Sequence, residues 1–268
     1  AFAGGEFDIA RDNYERAQAI AGQERIELDE SMELALARTH AAMGNLDRAQ
    51  DHLRAALEGA RVAGKRLLTA RVEVHLGDLA AVRGDSERAN EAYRRAESIA
   101  EEVGHTELHM RASIRRAYVR FTESNLAEAL DQLGETMKRA KKVGDRSGEL
   151  EVRAHVIHLQ LLDRAFETRG GAFSSLLDKA TREDLRRARL LCQIFRADVH
   201  VASEQFDAAR RLLEAAREGA ARAEHYTLLL PIAQRARRLP SQAGKTEQKA
   251  TGAALGSLLP PEEHTLYG

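Results

Sequence analysis

Two histidine pairs come nearest to a metal site in this sequence. His105 and His109 lie four residues apart, and His155 and His158 lie three apart. On a helix either spacing puts two imidazoles on one face, where they could bind zinc. A zinc site needs three or four ligands, and neither pair has an evident third. The sequence therefore predicts no metal site and no cofactor.

Nucleophiles and phosphate-binding loops receive equally little support. Cys192 is the single cysteine and stands in an apolar run at 190–194. It has no neighbour that would lower its pKa, so it is expected to fill a core. The segment PSQAGKT, ending at Thr246, is similar to a phosphate loop only in its last residues, because Leu239 stands where the first glycine is required. No catalytic residue is predicted, and the chain is not expected to be an enzyme.

The composition is typical of a soluble protein built from amphipathic helices. Hydrophobic residues make up 43% of the chain and charged residues 31%, while tryptophan is absent. The 41 basic and 42 acidic residues nearly cancel, so a nucleic-acid partner is not expected. No apolar run reaches the roughly 20 residues of a membrane span. A single cysteine suits a reducing compartment, which predicts a cytoplasmic location.

A repeat of about forty residues runs through most of the chain. Segments beginning at Gly5, Gly44 and Gly84 share one pattern: a turn residue, an alanine at the fifth place after it, a large residue at the ninth and a small one at the twelfth. Further copies begin at Ser124 and Glu204. Internal repeats of this length are the signature of stacked repeat architectures. One degenerate copy is expected near residue 164.

Each half of the repeat has apolar residues at helical spacing, and alternation of the β type is absent. Gly64, Gly104 and Gly144 are predicted to end the second helices in the left-handed conformation. Helices of about sixteen residues joined by short turns must run antiparallel. A single pair cannot bury its apolar face, so the pairs are expected to stack into an all-α superhelix with a concave side.

The predicted domain boundaries follow the repeat. Residues 1–239 are expected to form about five to six helix pairs, with the first pair truncated and the last helix, 224–239, a possible cap. In the degenerate copy, Gly170 and Gly171 are expected to interrupt the second helix. Residues 240–268 are rich in proline, glycine and alanine, which predicts a flexible tail. The tail could still pack into a groove of this chain or of a second copy.

The segment VHLGDLAAVRGDSERANEAYRRAESIAEEVG, from Val74, resembles the tetratricopeptide repeat pattern at Leu76, Gly77, Gly84, Ala89, Tyr93 and Ala96. The resemblance covers about residues 5 to 222. The segment from Val143, VGDRSGELEV, is similar to the junctions of a subtype of roughly forty residues found in bacterial signalling and transcription-activator proteins and in mitotic-spindle adaptor proteins. The resemblance implies a right-handed superhelix of helix pairs that serves as a protein-binding scaffold.

In this family the first helix of each pair lines the concave groove, and its ninth position often contacts ligand peptides. By this resemblance the ninth positions are Arg38, Asp78, Tyr118, His158 and Asp198, and the neighbouring groove candidates are Arg71, Arg111, Arg115, Phe121 and Glu151. A solvated helix face would carry the same residue types. Family members that bind the carboxylate at the end of chaperones use lysine and asparagine at set groove positions, where this chain has Leu34 and Arg38, or Val74 and Asp78, instead. A chaperone tail is therefore not the expected ligand.

The sequence predicts a regulatory protein-interaction domain from a larger bacterial signalling or transcription-control protein, with a peptide or helix bound in its groove. The partner could also be the chain's own tail or a second copy. One alternative is a homo-oligomerisation module that associates through exposed terminal helices. Another is a sensor that binds a small molecule or anion at Arg111, Arg115 and His155.

Overall fold

The computed structural model describes residues 30–42, 44–163 and 170–222, together with Arg16, Ile232, Arg235, Ala236 and Leu239. Within these residues every regular element is a helix, so the all-α class is confirmed. The first repeat, from Gly5, and the tail at 240–268 lie outside the described residues, as does most of 224–239. The helices are α1 (Glu30–Ala42), α2 (Leu46–Val62), α3 (Arg66–Val82), α4 (Ser86–Glu102), α5 (Thr106–Thr122), α6 (Leu126–Lys142), α7 (Arg146–Asp163), α8 (Gly170–Arg182), α9 (Arg186–Ala202) and α10 (Phe206–Arg222).

The tertiary contacts divide the chain into two units that meet in sequence within α5, one ending at Val119 and the next beginning at Arg120. In the first unit α1 packs against α2, α2 against α3 and α3 against α4, and α1 also contacts α3. Buried residues of α3, α4 and α5 share one hydrophobic cluster. In the second unit α6 to α10 pack in the same consecutive manner, and α7 also contacts α9. Consecutive packing with contacts to the next helix but one is expected of stacked helix pairs. The tetratricopeptide-like arrangement is therefore confirmed.

One turn geometry recurs every twenty residues. The chain enters the left-handed region once in each turn, and the next amide donates to a carbonyl five residues earlier, as from Asp85 to Ala80 at 2.9 Å. This is a Schellman ending, which glycine tolerates best. It confirms the left-handed role predicted for the three glycines that end second helices. The left-handed residues are Gly44, Gly64, Gly84, Gly104, Ser124, Gly144, Asp184 and Glu204.

The repeated small and large residues form the core. Ala89 and Ala96 of α4 are fully buried, and Tyr93 between them is 1% exposed. The Tyr93 ring lies against Gly77 of α3, where an added Cβ would come within 2.5 Å of a ring carbon. The matching slots in other pairs are buried too: Ala49, Leu53 and Ala56; Ala129 and Leu133; Ala209, Leu213 and Ala216. Small residues therefore let the two helices of a pair approach closely.

The second helix of the pair near residue 164 is short. Helix α8 runs for 13 residues from Gly170 and includes Gly170 and Gly171 at its start. Residues 164–169 lie outside the described residues, so the interruption of a longer helix by these glycines stays a prediction. Phe173 and Leu176 are buried in the core of the second unit. Their burial stabilises the helix and offsets the low helix propensity of the two glycines.

Two glycine substitutions test this packing. Gly77→Ala should lower the free energy of unfolding by about 1 to 3 kcal/mol, because the new methyl group overlaps the Tyr93 ring. Gly134→Ala is the matched control in the interior of α6, where an added Cβ meets nothing within 4 Å. It should raise the free energy of unfolding by up to about 1 kcal/mol. Urea denaturation of both variants is the measurement, and equal effects would contradict the packing described here.

Candidate functional site

The ten residues predicted to line a groove do not share one exposed surface. Asp78, Arg115, Tyr118 and His158 are at most 1% exposed, Glu151 is 5% exposed and Asp198 is 8% exposed. Arg38 and Arg71 are exposed, while Arg111 and Phe121 are partly buried. Whether any of them contacts a partner stays a prediction. Six of the side chains are enclosed within the folded units and need another explanation.

In the first unit, Asp78 is the centre of a buried polar cluster that joins three helices. Its Oδ1 accepts a hydrogen bond from Arg115 Nε of α5 at 2.7 Å and another from the Tyr93 hydroxyl of α4 at 2.8 Å. His75 Nδ1 lies 3.4 Å from Oδ2. Burial raises the pKa of Asp78, but the charge of Arg115, the nearby His75 imidazole and the hydrogen bond from Tyr93 outweigh it, so the pKa lies below its usual value. Asp78 is therefore ionised and held by Arg115.

In the second unit, Asp198 occupies the equivalent position. Arg235 Nε donates to Oδ1 at 2.8 Å and Arg235 Nη2 donates to Oδ2 at 3.1 Å, so the contact is bidentate. His158 Nε2 lies 3.4 Å from Oδ2, and its ring stacks on Phe195 with centroids 4.1 Å apart. Burial raises the pKa of Asp198, but the charge of Arg235, the nearby His158 imidazole and the hydrogen bonds from Arg235 lower it to about 2.

The two clusters follow one rule of spacing. In each, the arginine that binds the aspartate comes 37 residues after it in the sequence. Asp78 and Asp198 are three forty-residue periods apart, and so are Arg115 and Arg235. The ninth position of the first helix therefore faces the next pair in both clusters. Sequence reasoning missed this role, although the repeated interval between aspartate and arginine was a usable signal.

Glu151 of α7 belongs to a third buried contact. Its Oε2 accepts from Arg187 Nε of α9 at 3.1 Å, and its Oε1 accepts from the Ser147 hydroxyl at 3.1 Å. A buried carboxylate with a charged donor and a hydroxyl donor is satisfied within the protein. Glu151 thus helps to join α7 to α9.

Three arginines on the first helices of the first unit remain at the surface. Arg38 of α1 and Arg71 of α3 are exposed, and the Arg111 side chain of α5 is 27% exposed with Glu107 at 3.8 Å. Burial is the main reason that the pKa of His75 is lowered, and Asp78 opposes that shift. The charges of Arg38 and Arg115 lower the pKa further, so Arg38 lies close enough to α3 to affect His75. We call Arg38, Arg71 and Arg111 the arginine strip.

His105 and Cys192 have structural roles. His105 Nδ1 accepts from the Leu108 amide at 3.1 Å, so it caps the start of α5. In the described part of the chain, no three histidine, cysteine, aspartate or glutamate side chains are grouped to hold a metal ion. Cys192 is fully buried, and burial raises the pKa of its thiol to about 12. Within the same residues, no helix has the length and apolar character needed to cross a membrane.

The profile of the tetratricopeptide repeat family matches residues 28–102, which include α1 to α4. Residues 28–102 are tetratricopeptide repeats. A search of curated proteins finds no match to this chain. Tetratricopeptide repeats mediate interactions between proteins and act as non-catalytic scaffolds. Surfaces that could contact another polypeptide are therefore the functional surfaces to consider, and the buried clusters are part of the framework that holds them.

The buried cluster predicts a large effect of a small substitution. Asp78→Asn keeps the shape of the side chain but leaves the Arg115 guanidinium without its compensating charge. Breaking a buried ion pair in this way should cost roughly 3 to 5 kcal/mol of unfolding free energy. Asp51→Asn is the control, because Asp51 pairs with Arg54 at 3.9 Å on the open surface of α2. Thermal melts should show a large fall in Tm for the first variant and none beyond error for the second.

His158 should make stability depend on pH. Burial lowers its pKa below that of an ordinary histidine, and Asp198 opposes the shift only in part because Arg235 already neutralises that carboxylate. Between pH 7 and 5 the unfolded chain takes up a proton at this histidine and the folded chain does not, so the free energy of unfolding falls as the pH falls.

Replacing this histidine should reduce the pH dependence. Compared with the wild type, His158→Gln should lose less unfolding free energy between pH 7 and 5, whatever its stability at pH 7. Urea unfolding at pH 9, 7.5, 6 and 5 measures this. The curves of stability against pH should run parallel above pH 7.5, where histidine no longer titrates, and parallel curves down to pH 5 would rule out the assignment.

Proposed function

We propose that this repeat domain is the partner-binding part of a larger bacterial signalling or transcription-control protein, that it works in the cytoplasm, and that it binds an acidic peptide or helix on the arginine strip. Two things support the proposal. Tetratricopeptide repeats bind protein partners, and the forty-residue spacing is similar to that of the bacterial subtype.

The observation that carries the proposal is the contrast in exposure along the first helices. Arg71, His75 and Asp78 lie on one face of α3, since they are four and three residues apart. Asp78 is fully buried, whereas Arg71, nearly two turns earlier, is exposed. Arg111 has the equivalent place on α5. Arginine is enriched among the residues that dominate binding energy, and it binds carboxylates with paired hydrogen bonds. An acidic partner fits this surface.

The anion-sensor alternative loses its proposed site. It required Arg111, Arg115 and His155 to meet a ligand from solvent, but Arg115 and His155 are each 1% exposed. Arg115 is also bound to Asp78. Homo-oligomerisation remains the second candidate, because a second copy could present acidic residues to the strip.

A photo-crosslinking amino acid in place of Arg71 would identify what contacts the strip. The same substitution at Arg94, an exposed residue of α4, is the control. A partner that crosslinks from position 71 and not from position 94 is expected. A crosslink to a second copy of the chain would favour the oligomerisation module instead.

Charge reversal then tests the strip with the captured partner. Arg71→Glu should weaken binding at least tenfold by calorimetry, since it replaces an attraction with a repulsion, and Tm should change little because Arg71 is exposed. Arg94→Glu should leave the affinity as it is. Full affinity in the Arg71 variant would reject the strip as the binding surface.

A further inference from the structure

A second charged surface lies elsewhere in the first unit. The end of α2, the beginning of α3 and the second half of α4 enclose a cleft of about 470 Å³. Glu73 of α3 lines it with a side chain only 1% exposed. Glu73 follows Arg71 by two residues, which turns it about 200° around the helix axis. The cleft and the arginine strip therefore occupy different faces of α3.

Two arginines from different pairs meet over this buried carboxylate. Arg61 Nη2 of α2 donates to Glu73 Oε1 at 3.1 Å, and Arg95 Nε of α4 donates to Oε2 at 2.9 Å. Both arginine side chains remain about half exposed, at 54% and 48%. A guanidinium has five N–H donors, and each of these uses one on Glu73. Arg95 Nη1 also lies 3.7 Å from Glu91 Oε2. Glu73 thus fixes two cationic groups at the cleft, and both have further N–H donors that a ligand could use.

The residues that line the cleft carry one net positive charge. The charged lining consists of Arg61, Arg66 and Arg95 against Glu73 and Glu102, and Glu91 lies beside Arg95 outside this lining. Arg66 is paired with Glu102 at the rim. Ala60 and Ile99 add an apolar lining beside the arginines. This combination suits a ligand with one negative charge and a short aliphatic stem.

We propose that this cleft binds a carboxylate group through Arg61 and Arg95. The group is an aspartate or glutamate side chain of a protein partner or a free organic acid. That the carboxylate belongs to a protein partner rests on the function proposed above. That the cleft binds a carboxylate does not. A phosphate dianion fits less well, because its second charge would lie beside Glu73 and Glu102 with no further cation to balance it.

The arginine side chains themselves provide the readout. In the full chain labelled with ¹⁵N, the Nε–Hε signals of Arg61 and Arg95 are followed by NMR at constant ionic strength. The probes are butyrate, inorganic phosphate, and a blocked hexapeptide of two central glutamates flanked by alanines. Sodium chloride and the matching glutamine peptide are the controls. We expect saturable shifts with butyrate and with the glutamate peptide, and none with either control.

Substitutions then link binding to the two arginines. Arg95→Gln and Arg61→Gln should each weaken butyrate binding at least tenfold, and Arg94→Gln, on the neighbouring surface of α4, should leave it unchanged. Helical content by circular dichroism checks the fold of each variant. If a variant is unfolded, the titration of the wild-type signals still decides the matter.

The outcomes separate the possibilities. Binding of butyrate but not of the glutamate peptide supports the site and rejects the partner as its source, without affecting the arginine strip. Phosphate binding as tight as butyrate binding would overturn the choice of ligand. The absence of any saturable shift would overturn the site, and Arg61 and Arg95 would then serve only to hold α2 and α4 on Glu73.

Discussion

Neighbouring helix pairs can share a core only if residues one repeat apart stay in register, and the short turns maintain that register. Outside residues 164–169, the turns between the described helices place three residues between one helix and the next, and one of the three is left-handed. Most of the helices have 17 residues, and from α2 to α7 they begin at intervals of twenty. Gly77 then faces the Tyr93 ring of the adjacent helix. A helix longer by one residue would rotate every following side chain by about 100° and lose this match.

The buried carboxylate–guanidinium pairs depend on the same register. Asp78 binds Arg115, and Asp198 binds Arg235. In both cases the arginine comes 37 residues after the aspartate, so a change of register would separate the two side chains. Buried ion pairs add little net stability compared with apolar residues of the same volume, yet removing one partner is costly. We infer that these pairs favour one stacking of neighbouring helix pairs over shifted alternatives. That structural role accounts for ninth positions that family resemblance had assigned to ligand contact.

The arginine strip and the cleft lie on different faces of α3, and we propose an acidic ligand for each. Arg38 and Arg71 of the strip are exposed, so their side chains can adapt to an extended peptide or a helix, whereas Arg111 is partly buried. In the cleft, Arg61 and Arg95 are already positioned by Glu73, so a ligand pays less of the conformational entropy of ordering them. The strip therefore suits a broad contact and the cleft suits a single charged group.

The sequence by itself determined the helical class, the forty-residue repeat, the glycine turns and the core slots such as Ala89, Tyr93 and Ala96. These features are local or periodic, so they can be read from residue types and spacing. Only the tertiary structure decided which polar residues are buried. In the sequence, Asp78 and Arg71 are both polar residues on one face of a helix. In the folded unit, the next helix pair covers Asp78 and leaves Arg71 exposed. The cleft around Glu73 was equally hidden, because Arg61, Glu73 and Arg95 come from three helices and meet only when those helices pack.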